Sequence, residues 1–249
     1  MLLVADVAEL KFMNPILNTR TLDRAEAVAS SDTFNTAGVV QKSVFLLFLL
    51  VASAMVCAHA TLGFIPAIAG GIVAFVVVLV VMFKPTLSPY LAPVYAIAEG
   101  AIVGVISAAY ADAFNGIILQ ALLFTFGTLA AMLGLYQSRI IVVTAKLRSI
   151  IFAATVGIAV SYFVAFIASL FGFNISFLYG NGPLSIGISV VICIVAAMNF
   201  LLDFDTIERA NANRAPKYFE WVASLGLLIT TVWLYLEILR LLGKLNQNK

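Results

Sequence analysis

The sequence predicts an all-α membrane protein with seven transmembrane helices, and its composition and apolar runs carry that prediction. Of its 249 residues, 63% are hydrophobic and only 10% are charged, whereas soluble domains carry about 25% charged residues. The stretches 43–83, 113–138 and 149–202 contain no Asp, Glu, Lys or Arg. A helix needs about 20 apolar residues to cross a bilayer, so each stretch has room for one or two spans. These runs lack the alternation of a transmembrane β-barrel.

The first four spans follow from apolar runs divided by turn-forming residues. A polar segment precedes the first span, 40–60, and a short break at Gly63 leads to the second, 64–83. A proline-containing segment then precedes the third span, 90–111, because proline and glycine mark turns. The connection that carries Asp112 leads to the fourth span, 115–136.

The last three spans are divided in the same way. A basic connection precedes the fifth span, 147–171. The segment 172–183, rich in glycine and asparagine, separates it from the sixth span, 183–204. A second basic connection leads to the seventh span, 219–242.

Basic residues alternate between the two ends of these spans. They lie before the first span and near the ends of the second, fourth and sixth, but not in the connections after the first, third and fifth. By the positive-inside rule, we expect the N-terminus in the cytoplasm, with 1–39 as a cytoplasmic arm and 40–249 as the transmembrane domain. Lys244 and Lys249 conflict with this rule, so the tail is weakly constrained or the last segment is shorter or re-entrant. The alternating basic residues are Lys11, Arg20, Arg24, Lys42, Lys84, Arg139, Lys146, Arg148, Arg209, Arg214 and Lys217.

Several functional classes find no support in the sequence. A net charge of +2 is too small to indicate nucleic-acid binding. No phosphate-binding glycine loop is present, and no Ser/His/Asp set is evident, so we expect neither an enzyme nor a cofactor. The serines inside the spans are typical of helix packing, and these are Ser107, Ser161, Ser185 and Ser189.

The acidic residues of the last two spans are the strongest functional candidates. Glu237 lies inside the seventh span, where a carboxylate costs several kcal/mol unless it is protonated or paired. Helical spacing allows Glu237 to pair with Arg240, and Asp205 with Arg209. Asp203 has no such local partner, which favours a position in the bundle interior.

Two carboxylates in a low-dielectric interior suggest a pH-sensitive ion site. They cannot both ionise easily when they lie together, so such a pair holds a proton or binds a hard cation such as Ca²⁺. Depth limits this hypothesis. If the seventh span begins at Phe219, Glu237 lies about 27 Å along it, far from Asp203 and Asp205 at the inner end of span six. The segment 216–221 mixes charged and aromatic residues, as interfacial segments do. If the span therefore begins nearer Leu225, Glu237 lies close to mid-membrane.

A third candidate, Glu99, lies inside the third span. It adjoins Gly100, Gly104 and Ala108, a stripe of small residues at helical spacing that is typical of close helix packing. Glu99 is therefore expected to face the bundle, with an arginine, a hydroxyl group or a proton as its partner.

Five short segments, in this order, resemble those of one family. The segments are Met13-Asn14-Pro15, Ala37-Gly38-Val39-Val40-Gln41-Lys42-Ser43, Ala98-Glu99-Gly100, Leu202-Asp203-Phe204-Asp205-Thr206-Ile207 and Leu234-Tyr235-Leu236-Glu237. Together they are similar to the Bax inhibitor-1 / YccA-like family of seven-helix membrane proteins, in its bacterial branch. The seventh-span aspartate of the family is a glutamate here.

The resemblance implies a pH-sensitive calcium leak channel of the bacterial inner membrane. In that family a pair of acids on the last two helices senses pH. If the roles of the family's residues apply to the matching positions here, Glu237 and either Asp203 or Asp205 form the sensor and the tentative calcium site, with Asp203 slightly favoured. Glu99 would then be a gating acid. The partners would be the bilayer, Ca²⁺ and H⁺.

Two other functions remain open at this point. The first is a non-conducting regulator whose cytoplasmic arm contacts a membrane-bound quality-control protease, a role the resemblance also allows. The second is an aspartyl intramembrane protease, which is disfavoured because its Gly-x-Gly-Asp element is absent.

Overall fold

The computed structural model describes residues 33–59, 63–172 and 180–247, and these form seven α-helices. Every helix is long and apolar enough to cross a membrane, so the predicted seven-helix, all-α membrane fold is confirmed. The helices are α1 (Thr36–Ala58), α2 (Ile65–Phe83), α3 (Ser88–Ala113), α4 (Ile117–Gln137), α5 (Ala145–Leu170), α6 (Pro183–Ala212) and α7 (Phe219–Gln247).

Local signals explain where these helices begin. The Asn35 side chain accepts a hydrogen bond from the Ala37 amide and caps α1, which starts four residues before the predicted span. Thr144 caps α5 in the same way, and its hydroxyl oxygen accepts from the Leu147 amide at 3.2 Å. A proline lies in the first turn of α2, α3 and α6, where its missing N–H costs nothing.

The last two helices extend beyond the predicted spans. Helix α6 continues to Ala212, so Asp203 and Asp205 lie two turns before its end and do not close it. Helix α7 is continuous from Phe219 to Gln247, which excludes a shorter or re-entrant last segment. Lys244 therefore lies at the end of α7 opposite its start.

Helix α7 lies at the centre of the bundle. The apolar window of α7 is 61% buried, more than that of any other described helix, and α7 packs against α1, α3, α4 and α6. Its side chains Leu228 and Leu239, together with Phe200 of α6, belong to the main hydrophobic core. Charged groups on α7 are therefore brought into the interior of the bundle.

The described basic connections lie at one end of the bundle, which we call the N-terminal face. The Phe34 amide donates to the Ala215 carbonyl at 2.8 Å, and the Ser88 hydroxyl donates to the Tyr218 carbonyl at 3.1 Å. Arg148 at the start of α5 also reaches Asp205 of α6. Residues 1–32, including the Asn14-Pro15 segment, and Lys249 lie outside the described residues.

Small residues bring α3 directly against α1. A Cβ atom placed on Gly104 would lie 2.2 Å from the Ala54 carbonyl oxygen, and one on Gly100 would lie 2.4 Å from that of Leu50. The Ser53 hydroxyl of α1 also donates to a carbonyl of α3 at 2.7 Å. The predicted small-residue stripe is therefore a contact between two helix backbones.

Replacing Gly104 by alanine should destabilise the fold. The added methyl group overlaps the backbone of α1, and such overpacking costs roughly 1–3 kcal/mol. The matched control is Gly134→Ala in α4, where a new Cβ meets no atom within 4 Å and helix propensity improves. Chemical denaturation in detergent micelles measures both. Equal stability of the two variants would contradict the packing described.

Candidate functional site

Polar and charged side chains of α6 and α7 lie at three levels along these two helices. The entry cluster, near the N-terminal face, contains Asp205 and Glu220 with their cationic partners. The Asp203 site lies further in, and the outer cluster contains Glu237, Arg240 and Lys244 towards the opposite face. A charged group inside an apolar bundle carries a high free-energy cost unless it is paired. The partners of each charged group therefore determine whether it is satisfied within the protein or available to a ligand.

In the outer cluster, Glu237 is fully engaged. Its carboxylate is 2% exposed and accepts hydrogen bonds from the Tyr162 hydroxyl at 2.9 and 3.0 Å. The Arg240 guanidinium donates to both oxygens at 3.0 and 2.8 Å, and the indole N–H of Trp233 lies 3.3 Å from one of them. The ion pair with Arg240, which helical spacing allowed, is thus completed by a hydroxyl group from α5.

A buried lysine completes the outer cluster. Lys244 is 5% exposed, and its ammonium donates to the hydroxyl oxygens of Ser185 at 2.7 Å and Ser189 at 2.8 Å. These two serines of α6 were predicted as ordinary packing residues, and their contact with Lys244 was not predicted. Because Arg240 lies one turn away, the described residues of the outer cluster include two cationic groups and one carboxylate.

In the entry cluster, Asp205 forms ion pairs with two arginines. Its Oδ2 atom accepts from Arg148 of α5 and from the Arg209 Nε atom at 2.9 Å. Arg209 is the partner that the i,i+4 spacing allowed, whereas Arg148 lies on another helix. Asp205 therefore ties the start of α5 to α6.

The entry cluster also contains Glu220, which the sequence interpretation missed. Glu220 is completely buried and accepts hydrogen bonds from Lys42, from Lys217 at 2.9 Å and from the Asn35 amide at 2.8 Å. A Cβ on Gly38 would lie 2.2 Å from its Oε2 atom, so a glycine there makes room for the carboxylate.

Glu220 was missed because its partners are distant in the sequence. Lys42 and Asn35 lie 178 and 185 residues away. The aromatic and charged residues around it indicated an interfacial segment, whereas helix α7 begins at Phe219 and already includes Glu220.

The Asp203 site contains a carboxylate with an unsatisfied oxygen. The Oδ2 atom of Asp203 is buried and has no hydrogen-bond partner. The side chain of Thr230 on α7 is a polar neighbour of the Asp203 carboxyl group. Gly226 on α7 is a second neighbour, because a Cβ atom added there would lie 3.7 Å from the Asp203 Oδ1 atom. Asp203 therefore faces α7 in the bundle interior, as the absence of a local partner suggested.

The structure does not bring Glu237 together with either aspartate. Glu237 follows Thr230, the neighbour of Asp203, by seven residues, which is about 10 Å along the helix axis. Helix α7 begins at Phe219, so Glu237 lies about 27 Å along the helix. The paired arrangement expected for the sensor and the calcium site is therefore not assembled here. Among the described residues, no three His, Cys, Asp or Glu side chains gather into a metal site.

Glu99 lies on α3, half-buried. Its neighbour is the hydroxyl group of Tyr95, one turn earlier on the same helix, so a hydroxyl is the partner among the three that the sequence left open. Tyr95 itself is 5% exposed and belongs to the main core. The role of Glu99 as a gating acid stays a prediction.

One comparison with known proteins identifies the family. The sequence profile described as Bax inhibitor 1 like matches residues 14–247, which is nearly the whole chain. The chain belongs to the Bax inhibitor 1 like family. A search of curated proteins found no match. In this structure the α7 neighbours of Asp203 are Gly226 and Thr230, so the Glu237 carboxylate does not face Asp203.

Removing the charge of Glu237 should destabilise the protein. Glu237→Gln leaves Arg240 and Lys244 in the bundle without their carboxylate, and breaking a buried ion pair on one side costs about 3 kcal/mol. The double variant Glu237→Gln/Arg240→Gln should recover part of that loss. Denaturation in detergent micelles, followed by tryptophan fluorescence, measures both variants.

The exposed Glu208 offers a matched control, since its side chain is 49% exposed and pairs with Arg139. Glu208→Gln should change the free energy of unfolding by less than about 1 kcal/mol. Purely additive effects of the Glu237 and Arg240 substitutions would contradict the coupling described for the outer cluster.

Proposed function

We propose that this chain is a pH-sensitive calcium leak channel of the bacterial inner membrane, with its N-terminus in the cytoplasm. Membership of the Bax inhibitor 1 like family and seven membrane-spanning helices support this proposal. The concentration of basic residues at the N-terminal face supports the orientation. The observation that carries the mechanism is the unpartnered Oδ2 atom of Asp203.

The Asp203 site suits a proton or a hard cation. An unpaired carboxylate oxygen in an apolar bundle is costly, and either ligand would satisfy it. Ca²⁺ prefers carboxylate and hydroxyl or carbonyl oxygens, and Thr230 supplies a hydroxyl group beside Asp203. Because a proton and Ca²⁺ compete for the same oxygen, occupancy of this site depends on pH. In this proposal a single carboxylate on α6 does the sensing.

The outer cluster would close the pathway in this conformation. A cation that moves from Asp203 along α7 towards the face opposite the N-terminus must pass Arg240 and then Lys244. Both are held in place by hydrogen bonds, and among the described residues of the outer cluster two cationic groups face the single carboxylate of Glu237. Repulsion between like charges is strong in a low-dielectric interior, so opening requires these side chains to move. Glu99 and its neighbour Tyr95 on α3 are proposed to assist that movement.

Calcium flux into proteoliposomes tests the proposal. The wild-type protein should carry Ca²⁺ with a rate that changes across the range around neutral pH. Asp203→Asn mimics the protonated carboxyl group, so its flux at high pH should match that of the wild type at low pH. Asp205→Asn should keep the pH dependence, because Asp205 is already paired with Arg148 and Arg209.

Glu237→Gln separates the proposed single sensor from a paired one. It makes the outer cluster more positive, so the flux should fall at every pH while the pH dependence remains. If pH dependence is lost equally in Glu237→Gln and Asp203→Asn, a paired sensor forms in another conformation. Flux no greater than that of empty vesicles at any pH would overturn the channel.

Deleting residues 1–32 distinguishes a channel from a regulator that works through its N-terminal arm. The flank that remains is anchored to the α6–α7 connection by the hydrogen bond from Phe34 to Ala215 and by the contact between Asn35 and Glu220. The shortened protein should therefore fold and conduct like the full chain. Loss of conduction with an unchanged thermal unfolding temperature would contradict a pathway confined to the helices.

A further inference from the structure

A long apolar groove lies between α1 and α4, and Asp203, Gly226 and Thr230 of the proposed sensing site are not among its lining residues. It encloses about 710 Å³, and its floor is formed by α6 and α7. Helices α1 and α4 stand apart along its length. Its walls are mostly apolar, and among their residues are Val40, Val44, Leu47, Phe126, Leu129 and Leu133.

The length of the groove matches one leaflet of a bilayer. On α1 its lining extends from Thr36 to Leu47, and on α4 from Phe126 to Gln137. Each range rises about 16 Å at 1.5 Å per residue. The hydrocarbon core of a bilayer is about 30 Å thick, so one leaflet contributes about 15 Å. A lipid chain that enters at the N-terminal face would extend to the end of the groove.

The end of the groove at the N-terminal face carries both signs of charge. The Arg139 guanidinium and the Glu208 carboxylate lie there, 2.9 Å apart, with side chains 72% and 49% exposed. The Glu208 carboxylate also accepts a hydrogen bond from the Tyr136 hydroxyl group, and both charged side chains remain exposed enough to meet a ligand. Asn211 and Gln137 add amide groups at the same end. This end therefore offers a donor for a phosphate and an acceptor for an ammonium group.

A polar atom inside the groove also lacks a partner. The hydroxyl oxygen of Ser43 is buried and makes no hydrogen bond, and Ser43 lines the groove. Buried hydroxyl groups normally have a partner. An ester carbonyl of a lipid is an acceptor that would satisfy Ser43, whereas a bare hydrocarbon chain would not.

We propose that this groove binds one phosphatidylethanolamine molecule from the leaflet at the N-terminal face. Its acyl chain fills the apolar groove, its phosphate contacts Arg139, and its ammonium group contacts Glu208. A headgroup with only negative charge would face Glu208 unfavourably. A choline headgroup has no N–H to donate to Glu208. This binding site does not depend on calcium conduction.

Native mass spectrometry of the full-length protein in detergent tests this site. The probes are phosphatidylethanolamine, phosphatidylcholine and phosphatidylglycerol with identical acyl chains, and water-soluble glycerophosphoethanolamine. Phosphatidylethanolamine should bind about tenfold more tightly than the other two lipids, because one charge-assisted hydrogen bond is worth roughly that factor. Glycerophosphoethanolamine should not compete, since it lacks the chains that fill the groove.

Two pairs of variants locate the site. Glu208→Gln should remove the preference for ethanolamine, and Arg139→Gln should weaken binding of all three lipids because each carries the phosphate. Lys146→Gln, a charge removal at the same face but outside the groove, should change neither. Val44→Trp should obstruct the groove and weaken binding of all three lipids about tenfold. Ile150→Trp, on the exposed side of α5, should leave binding unchanged.

Equal binding of the three lipids by the wild type would overturn the headgroup assignment. Unchanged binding in Val44→Trp, or competition by glycerophosphoethanolamine, would overturn the groove as the site.

Discussion

The need to pair charged groups inside an apolar bundle arranges the helices around α7. Glu220 is bound by Lys42 of α1, and the ion pair between Glu237 and Arg240 is bound by Tyr162 of α5. Lys244 is held by two serines of α6. An uncompensated charge in this interior costs several kcal/mol. Each of these contacts therefore fixes the position of one neighbouring helix against the central one.

Asp203 departs from this rule, and the proposed function rests on that departure. Within the described part of the chain, its Oδ2 atom and the Ser43 hydroxyl oxygen are the buried side-chain polar atoms without a partner. Buried polar side-chain atoms normally have a hydrogen-bond partner, and the partner that we propose for each of these two atoms is a ligand. The two atoms lie in different places, one at the α6–α7 contact and one in the groove between α1 and α4. They therefore point to two separate ligands.

The sequence predicts the helices well because bilayer thickness sets their minimum length. Apolar runs and turn residues located all seven. Hydropathy alone ended α6 at residue 204, but the helix continues to Ala212. Its last turns are stabilised outside the apolar region by the ion pair between Asp205 and Arg209, which hydropathy does not register.

The site was predictable only where its partners lie on one helix. Arg240 and Arg209 follow from helical spacing, and the constant rise of a helix already indicated that Glu237 lies too deep to reach Asp203. Tyr162, Arg148 and Lys42 did not follow, because cross-helix contacts depend on how each helix is rotated and shifted against its neighbours. The same reason explains why Glu220 was assigned to the membrane surface.

Infrared difference spectroscopy across the range around neutral pH tests the central claim, that Asp203 alone carries the proton in the α6–α7 contact. A carbonyl band of a buried, protonated carboxyl group should appear as the pH falls, in the wild type and in Glu237→Gln. It should be absent in Asp203→Asn. Persistence of the band in Asp203→Asn, or its loss in Glu237→Gln, would contradict this assignment.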